Sequence, residues 1–181
     1  GLPRRSAQTA LHHITHSLVR LFAPILSFTS DEVWTHLAGD VEDSVLLHTW
    51  HAFPAQSDDH ALQQRWSAIR ATRSQVLKKL EDSRTQGDIG SSLAATVEIR
   101  ANKEDFNVLS ELGNDLRFVL IVSEASVVEA SHPEQQGILV SPSKYEKCER
   151  CWHYRHDVGQ HADHPTLCER CITNLYGAGE S

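Results

Sequence analysis

Lys147-Cys148-Glu149-Arg150-Cys151-Trp152-His153-Tyr154, followed by Cys168-Glu169-Arg170-Cys171, is the stretch that decides how this chain is read. Its two Cys-x-x-Cys pairs contain all 4 cysteines of the 181 residues. Each pair suits a tight turn that presents two thiolates from one corner, and two such corners supply the four sulfur ligands of tetrahedral zinc. Two disulfides would suit a small secreted domain, but no hydrophobic signal segment opens the sequence. A thioredoxin-type redox site would use one pair after a strand. A single iron or an iron–sulfur cluster also takes four sulfurs. Spacing and ligand type together favour one structural zinc on Cys148, Cys151, Cys168 and Cys171. His153, His156, His161 and His164 read as polar loop residues beside them. A closed set of four sulfurs has no open position for substrate, so the metal is expected to brace the fold and to do no chemistry.

Outward from the cysteines, the neighbours are basic and aromatic. Lys144, Lys147, Arg150 and Arg155 outnumber Glu146 and Glu149, inside a chain whose net charge is -7. That overall charge argues against a general nucleic-acid binder and leaves room for a local basic patch. Trp152 and Arg150 on a metal-fixed loop could stack on an unpaired base or meet a phosphate. Trp152 could equally cover the metal-site sulfurs as a miniature core, and residue type alone does not choose between the two.

Upstream, periodicity sets out an α+β chain: a mostly helical N-terminal segment, a small mixed α/β module, and the four-cysteine knuckle. Leu11, Ile14, Leu18 and Leu21 mark one helix face, ended or kinked at Pro24. Thr29 and Glu32 have capping-box spacing, with Phe28 and Val33 as a staple, and this second helix is expected to stop near Gly39. That much helix cannot close a core alone, which, with Gly at position 1 and no Met anywhere, points to a piece of a longer protein. A short strand is expected around Val45–His48. A long helix is expected from Asp59 to Arg84, with Leu62, Trp66, Ile69, Val76, Leu77 and Leu80 as its apolar stripe. Its Arg65, Arg70, Arg73, Lys78, Lys79 and Arg84 read as a solvated face, with phosphate tracking as the alternative. Gly87 and Gly90 break it. Strands are expected at Ala95–Ala101, Phe118–Val122, Ala125–Glu129 and Gly137–Ser141, and a short helix over Lys103–Leu112. The corresponding domain division is 1–55, 56–143 and 144–181.

Catalytic signals are missing. Gly87-Asp88-Ile89-Gly90 lacks the length and the Lys of a phosphate loop, and His12-His13-Ile14-Thr15-His16 has His13 where a zinc protease needs Glu. These histidines read as surface residues. Asp31-Glu32 and Asp58-Asp59 sit where helix N-termini favour negative charge. No run of residues is apolar enough to span a membrane.

The knuckle sequence resembles the C-terminal zinc finger of bacterial isoleucyl-tRNA synthetases. Ile89-Gly90-Ser91-Ser92-Leu93-Ala94-Ala95 is similar to that family's Gly-Ser-Leu-Glu-Ala stretch, with Ala94 where the family often has Glu. Leu112-Gly113-Asn114-Asp115-Leu116-Arg117-Phe118-Val119 is similar to its Leu-Gly-Asp-Glu-Leu-Arg-Phe segment. Ala23-Pro24-Ile25-Leu26-Ser27-Phe28-Thr29-Ser30-Asp31-Glu32-Val33-Trp34 resembles the end of the family's anticodon-binding helical domain. The likeness runs in order from near Arg4 to Glu180. It implies the C-terminal part of a class I aminoacyl-tRNA synthetase, a cytoplasmic monomer that activates isoleucine with ATP and charges the matching tRNA. The family's His-Ile-Gly-His and Lys-Met-Ser-Lys-Ser signatures and its editing domain do not occur here. The expected partners are the isoleucine tRNA and the rest of the synthetase chain. By position, Arg150 and Trp152 match the family's basic-aromatic knuckle, which implies an anticodon-loop surface, with Lys147 and Arg155 beside it. The four-cysteine finger also resembles that of DNA-repair glycosylases, although Pro165 and Thr166 precede Cys168 and no Gly-Arg-Thr run appears. A zinc-stabilised protein-interaction module is the third reading.

Overall fold

The computed structural model describes residues 1–37, 43–55 and 59–179. They form two compact units, one drawn from Gly1–Asp58 and the other from Asp59–Gly179. Among the described residues, no helix is long and apolar enough to cross a membrane.

In the first unit, α1 (Leu2–Phe22) and α2 (Ser27–Leu37) are joined by a tight turn at Pro24. Their small core is Val19, Ala23, Trp34 and Val45, with Val33 and Leu37 against it. The Arg20 guanidinium lies over the Trp34 ring at 4.6 Å. Leu11, Ile14, Leu18 and Leu21, the predicted face of α1, stay exposed. Two helices cover one side of each other, and that side of α1 carries His16, Val19 and Arg20, followed by Ala23 at its C-cap, instead of the leucine face.

Two expectations fail here for local reasons. α2 starts before Thr29, because Leu26 N–H donates to Phe22 O at 2.7 Å and Ser30 N–H to Leu26 O at 2.8 Å. The turn therefore satisfies these amides and leaves no N-terminus at Thr29 for a hydroxyl to cap. Phe28 is 94% exposed, so the staple does not form. The expected stop near Gly39 lies outside the described residues. In place of the strand at Val45–His48 is a 3-10 turn, Val45–Leu47. Asp31 sets it, accepting from the Ser44 hydroxyl at 2.7 Å and from Val45 N–H at 3.1 Å.

The histidines of α1 are not a plain surface run. His16 is buried, only 9% exposed, and its ring stacks with His51 and lies edge-on to Trp34. His13 Nδ1 and His51 Nε2 are 2.9 Å apart. Burial first, then His12, Arg20, His51 and His13, hold the His16 pKa below its ordinary 6.5. Burial, His13, Arg20 and His12 do the same for His51. A histidine depressed in the folded state binds protons better when unfolded, so its stabilising contribution is present above pH 6.5 and is lost as pH falls through the folded value. Thermal melts of the first unit should therefore shift downward from pH 7.5 to pH 5, and His16→Gln should flatten that shift. A melting point independent of pH across this window would remove the effect.

The second unit opens with α3 (His60–Gln86). Asp59 caps it by accepting from Leu62 N–H at 2.9 Å, and Gly87 ends it in the left-handed region at φ 84°. Its stripe meets a three-stranded sheet of order β2-β1-β3: β1 Ala95–Ala101, β2 Glu124–Glu129 and β3 Gly137–Pro142. β2 runs parallel to β1, and β3 antiparallel. Alternation places Ala95, Val97, Ile99 and Ala101 of β1 inward, where they join Ile69, Val76 and Leu80 of α3 in one core. Leu62, Trp66 and Leu77 of the expected stripe remain partly exposed.

The crossover from β1 to β2 holds α4 (Lys103–Ser110), capped by Asn102, and α5 (Leu116–Leu120). α5 corrects the expectation of a buried strand over Phe118–Val122. An apolar run has no period that separates strand from buried helix. Here Leu116 and Leu120, four apart, both face the core, and Ile121 breaks the helix at φ 58°. Phe118 consequently points away from that core and is 37% exposed. The basic residues of α3 are partly spent inside the unit. Arg73 Nε donates to Val119 O at 2.9 Å, Arg65 pairs with Glu111 at 3.1 Å, and Arg84 pairs with Glu81.

Candidate metal centre and its surroundings

The cysteines sit on two short elements after the sheet. β4 (Glu146–Lys147) and β5 (Tyr154–Arg155) form an antiparallel ribbon whose turn carries the first pair. In that turn Cys148 N–H donates to His153 O and Trp152 N–H to Cys148 O, each at 2.9 Å. The second pair opens α6 (Glu169–Tyr176), with Cys168 at the N-cap. Glu149 N–H donates to Thr166 O at 3.1 Å and joins the two corners.

All four sulfurs lie within 4.8 Å of one another, and none is paired in a disulfide. Cys151 Sγ and Cys168 Sγ are 3.6 Å apart. A tetrahedron with Zn–S bonds of about 2.3 Å has sulfur–sulfur edges of roughly 3.8 Å. Cys148, Cys168 and Cys171 are buried, and Val158 and Leu167 pack around them. Burial pushes the Cys148 thiol up, but backbone N–H groups of Cys151, Cys168 and Arg150 outweigh it and bring the pKa to about 6. Burial pushes Cys151 and Cys168 up. Four crowded sulfurs cannot all carry charge without a counter-cation, and a divalent metal supplies it. Among the described residues these four cysteines are the one group placed to hold a metal, so the neighbouring histidines do not join them.

Trp152 does not cover the sulfurs: it is 60% exposed. Its backbone adopts φ 64°, a region in which a bulky residue is an outlier. The knuckle's two hydrogen bonds hold it there, and the ring stands out from the turn. Lys147 Nζ lies 5.6 Å from the ring centroid. The other expected surface residues are less free. Arg150 Nη1 is 3.7 Å from Cys171 Sγ, where its charge offsets the sulfurs. Arg155 is half-buried and pairs with Asp157 at 3.3 Å.

Several residues at this site carry no local signal in the sequence. Phe118 of α5 is flanked by the Arg117 guanidinium at 4.7 Å and the Arg170 guanidinium at 4.8 Å, with His153 edge-on at 5.7 Å. Ser123 Oγ accepts from Tyr154 N–H at 2.6 Å and donates to Leu93 O. These contacts fix the ribbon to the α+β core. Of these residues, Arg117 and Phe118 fall in the Leu112–Val119 stretch that carries the family resemblance, which assigns them no role at the knuckle.

Comparison with known proteins agrees with this geometry. Residues 1–99 match the family described as the anticodon-binding domain of tRNA ligase, and residues 146–174 match the zinc finger found in FPG and IleRS. The isoleucine–tRNA ligase of Nitrosomonas europaea is 58% identical over 99% of this chain, and that of Azoarcus sp. is 53% identical over 98%. The isoleucine–tRNA ligase of Paraburkholderia phytofirmans is 54% identical over 99%. The chain spans about a fifth of the length of these curated relatives. The finger match and the four converging sulfurs make the metal a structural zinc. The chain belongs to the anticodon-binding domain family of tRNA ligases, matched over residues 1–99, and carries a zinc finger of the kind found in FPG and IleRS.

Proposed function

We propose that this chain is the C-terminal, tRNA-holding part of an isoleucine–tRNA ligase, a monomeric cytoplasmic enzyme that charges isoleucine onto its tRNA with ATP at a catalytic domain elsewhere. Cys148, Cys151, Cys168 and Cys171 hold one zinc. The zinc fixes the knuckle, and the knuckle presents Trp152 and Lys147 to the anticodon stem-loop, with Arg150 and Arg155 supplying positive charge from behind. The observation that carries this reading is Trp152 itself, a large ring held outward in an unfavourable backbone conformation at the tip of a metal-braced turn. Backbone strain of this kind persists where surrounding structure over-determines it, and it clusters at binding sites.

The same finger description covers repair glycosylases, so the test compares ligands. The zinc-loaded chain should bind isoleucine tRNA more tightly than abasic duplex DNA of equal length, and its RNA affinity should fall with rising salt as phosphate contacts release counterions. Equal or tighter binding to the abasic duplex would favour the glycosylase-type reading. Undetectable binding of both at low salt would favour a protein-interaction module.

A further inference from the structure

A cleft of about 300 Å³ lies beside the zinc ribbon, between its base and the α+β core. Asn114, Arg117, Tyr145, Tyr154, Arg155 and His156 line it. We propose that this cleft takes one unstacked nucleotide, with the base against Tyr145 and His156 and the phosphate toward Arg155 and Arg117. The proposal rests on the tRNA-holding reading and adds to it a second contact point, distinct from Trp152.

Three features favour a nucleotide. The volume lies at the lower end of the range for ligand pockets, about 300–1,000 Å³, which admits one nucleotide and no duplex. The lining joins flat rings to cationic groups, the combination that takes a base face and its phosphate together. Tyr145 is 43% exposed and stands edge-on to His156 at 5.9 Å. Arg155 uses one guanidinium nitrogen, Nη2, on Asp157 at 3.3 Å and keeps part of its side chain exposed at the cleft. Asn114 adds an amide that can read a base edge. Glu124 is the one acid in the lining, and it disfavours a ligand with several phosphates.

Position supports the same ligand. Tyr154 and Arg155 pair with Lys147 and Glu146 on the ribbon that carries Trp152 at its turn. Arg155 follows Trp152 closely in sequence, so even a fully extended chain would separate them by at most about 11 Å. Neighbouring nucleotides of one opened loop can reach both.

The test uses the zinc-loaded chain, a fluorescent anticodon stem-loop RNA and, separately, AMP. Tyr145→Ala removes a stacking ring, and Asn114→Glu adds negative charge at a surface position; zinc content and circular dichroism check that both variants fold. Each should weaken RNA binding about 10-fold, within the effect of losing one base stack. If both bind within twofold of wild type while Trp152→Gly weakens binding, the cleft proposal is overturned and the tRNA reading stands. If the wild-type chain binds no RNA, the tRNA reading fails and AMP decides the cleft. AMP binding by calorimetry that is lost in Tyr145→Ala supports a mononucleotide site, and no AMP binding overturns it.

Discussion

Replacing Cys148 with Ser should strip the zinc and unfold the ribbon and α6 while leaving the three-stranded sheet intact. Cys148 is fully buried, and its Sγ accepts from Cys168 N–H at 3.4 Å, so the same atom belongs to both corners. A serine hydroxyl at that place is not ionised near neutral pH and gives a much poorer zinc ligand. Apart from the four cysteines, Val158 and Leu167 are the hydrophobic residues packed in this cluster among the described residues. So little apolar area cannot order a segment of this length without metal. Structural zinc contributes roughly 10–16 kcal/mol in small zinc-finger peptides, which exceeds any other single contribution available to this segment. The core of Ile69, Val76, Leu80, Val97 and Ile99 includes no cysteine and should survive. Metal analysis should fall from about one zinc per chain to near none, and amide exchange should become fast over 146–176 but not over β1. Full zinc occupancy in the variant would remove Cys148 from the ligand set.

Replacing Trp152 with Gly should have the opposite division of effects. Glycine adopts φ 64° without penalty, whereas a residue with a Cβ is held there at a cost of about 1–2 kcal/mol. The variant should keep its zinc and melt at the same temperature as wild type or slightly higher. Loss of the exposed ring should weaken binding of the anticodon stem-loop by roughly 1–3 kcal/mol, the worth of one base stack. A tryptophan that merely packed against the metal site would behave in reverse, lowering stability and leaving RNA affinity unchanged. The two readings thus predict opposite signs in two separate measurements.

The features legible in the sequence were those set by local spacing. The alternation at Ala95–Ala101 gave β1, the stripe and the Gly87 stop gave α3, and the cysteine pairs gave the metal site. The failures were elements decided by contacts distant in the chain. Phe118–Val122 reads equally well as a strand, and it is helical because Leu116 and Leu120 face the same core as α3. Val45 turns because Asp31 accepts from it. At the site, the exposure of Trp152 was undecidable from residue type, since it follows from the hydrogen bonds of the turn. The Arg117–Phe118–Arg170 stack joins residues far apart in sequence and left no spacing to read. The basic stripe of α3 illustrates the converse: Arg65 and Arg73 are cationic in the sequence and structural in the fold.

Photo-crosslinking of isoleucine tRNA to the zinc-loaded chain, with the linked peptides identified by mass spectrometry, is the most direct measurement. A zinc-braced knuckle that holds the anticodon loop predicts crosslinks at Trp152, joined to nucleotides of that loop, that disappear when zinc is chelated. Bound tRNA that crosslinks elsewhere and leaves residues 146–156 unmarked, with or without zinc, would contradict it.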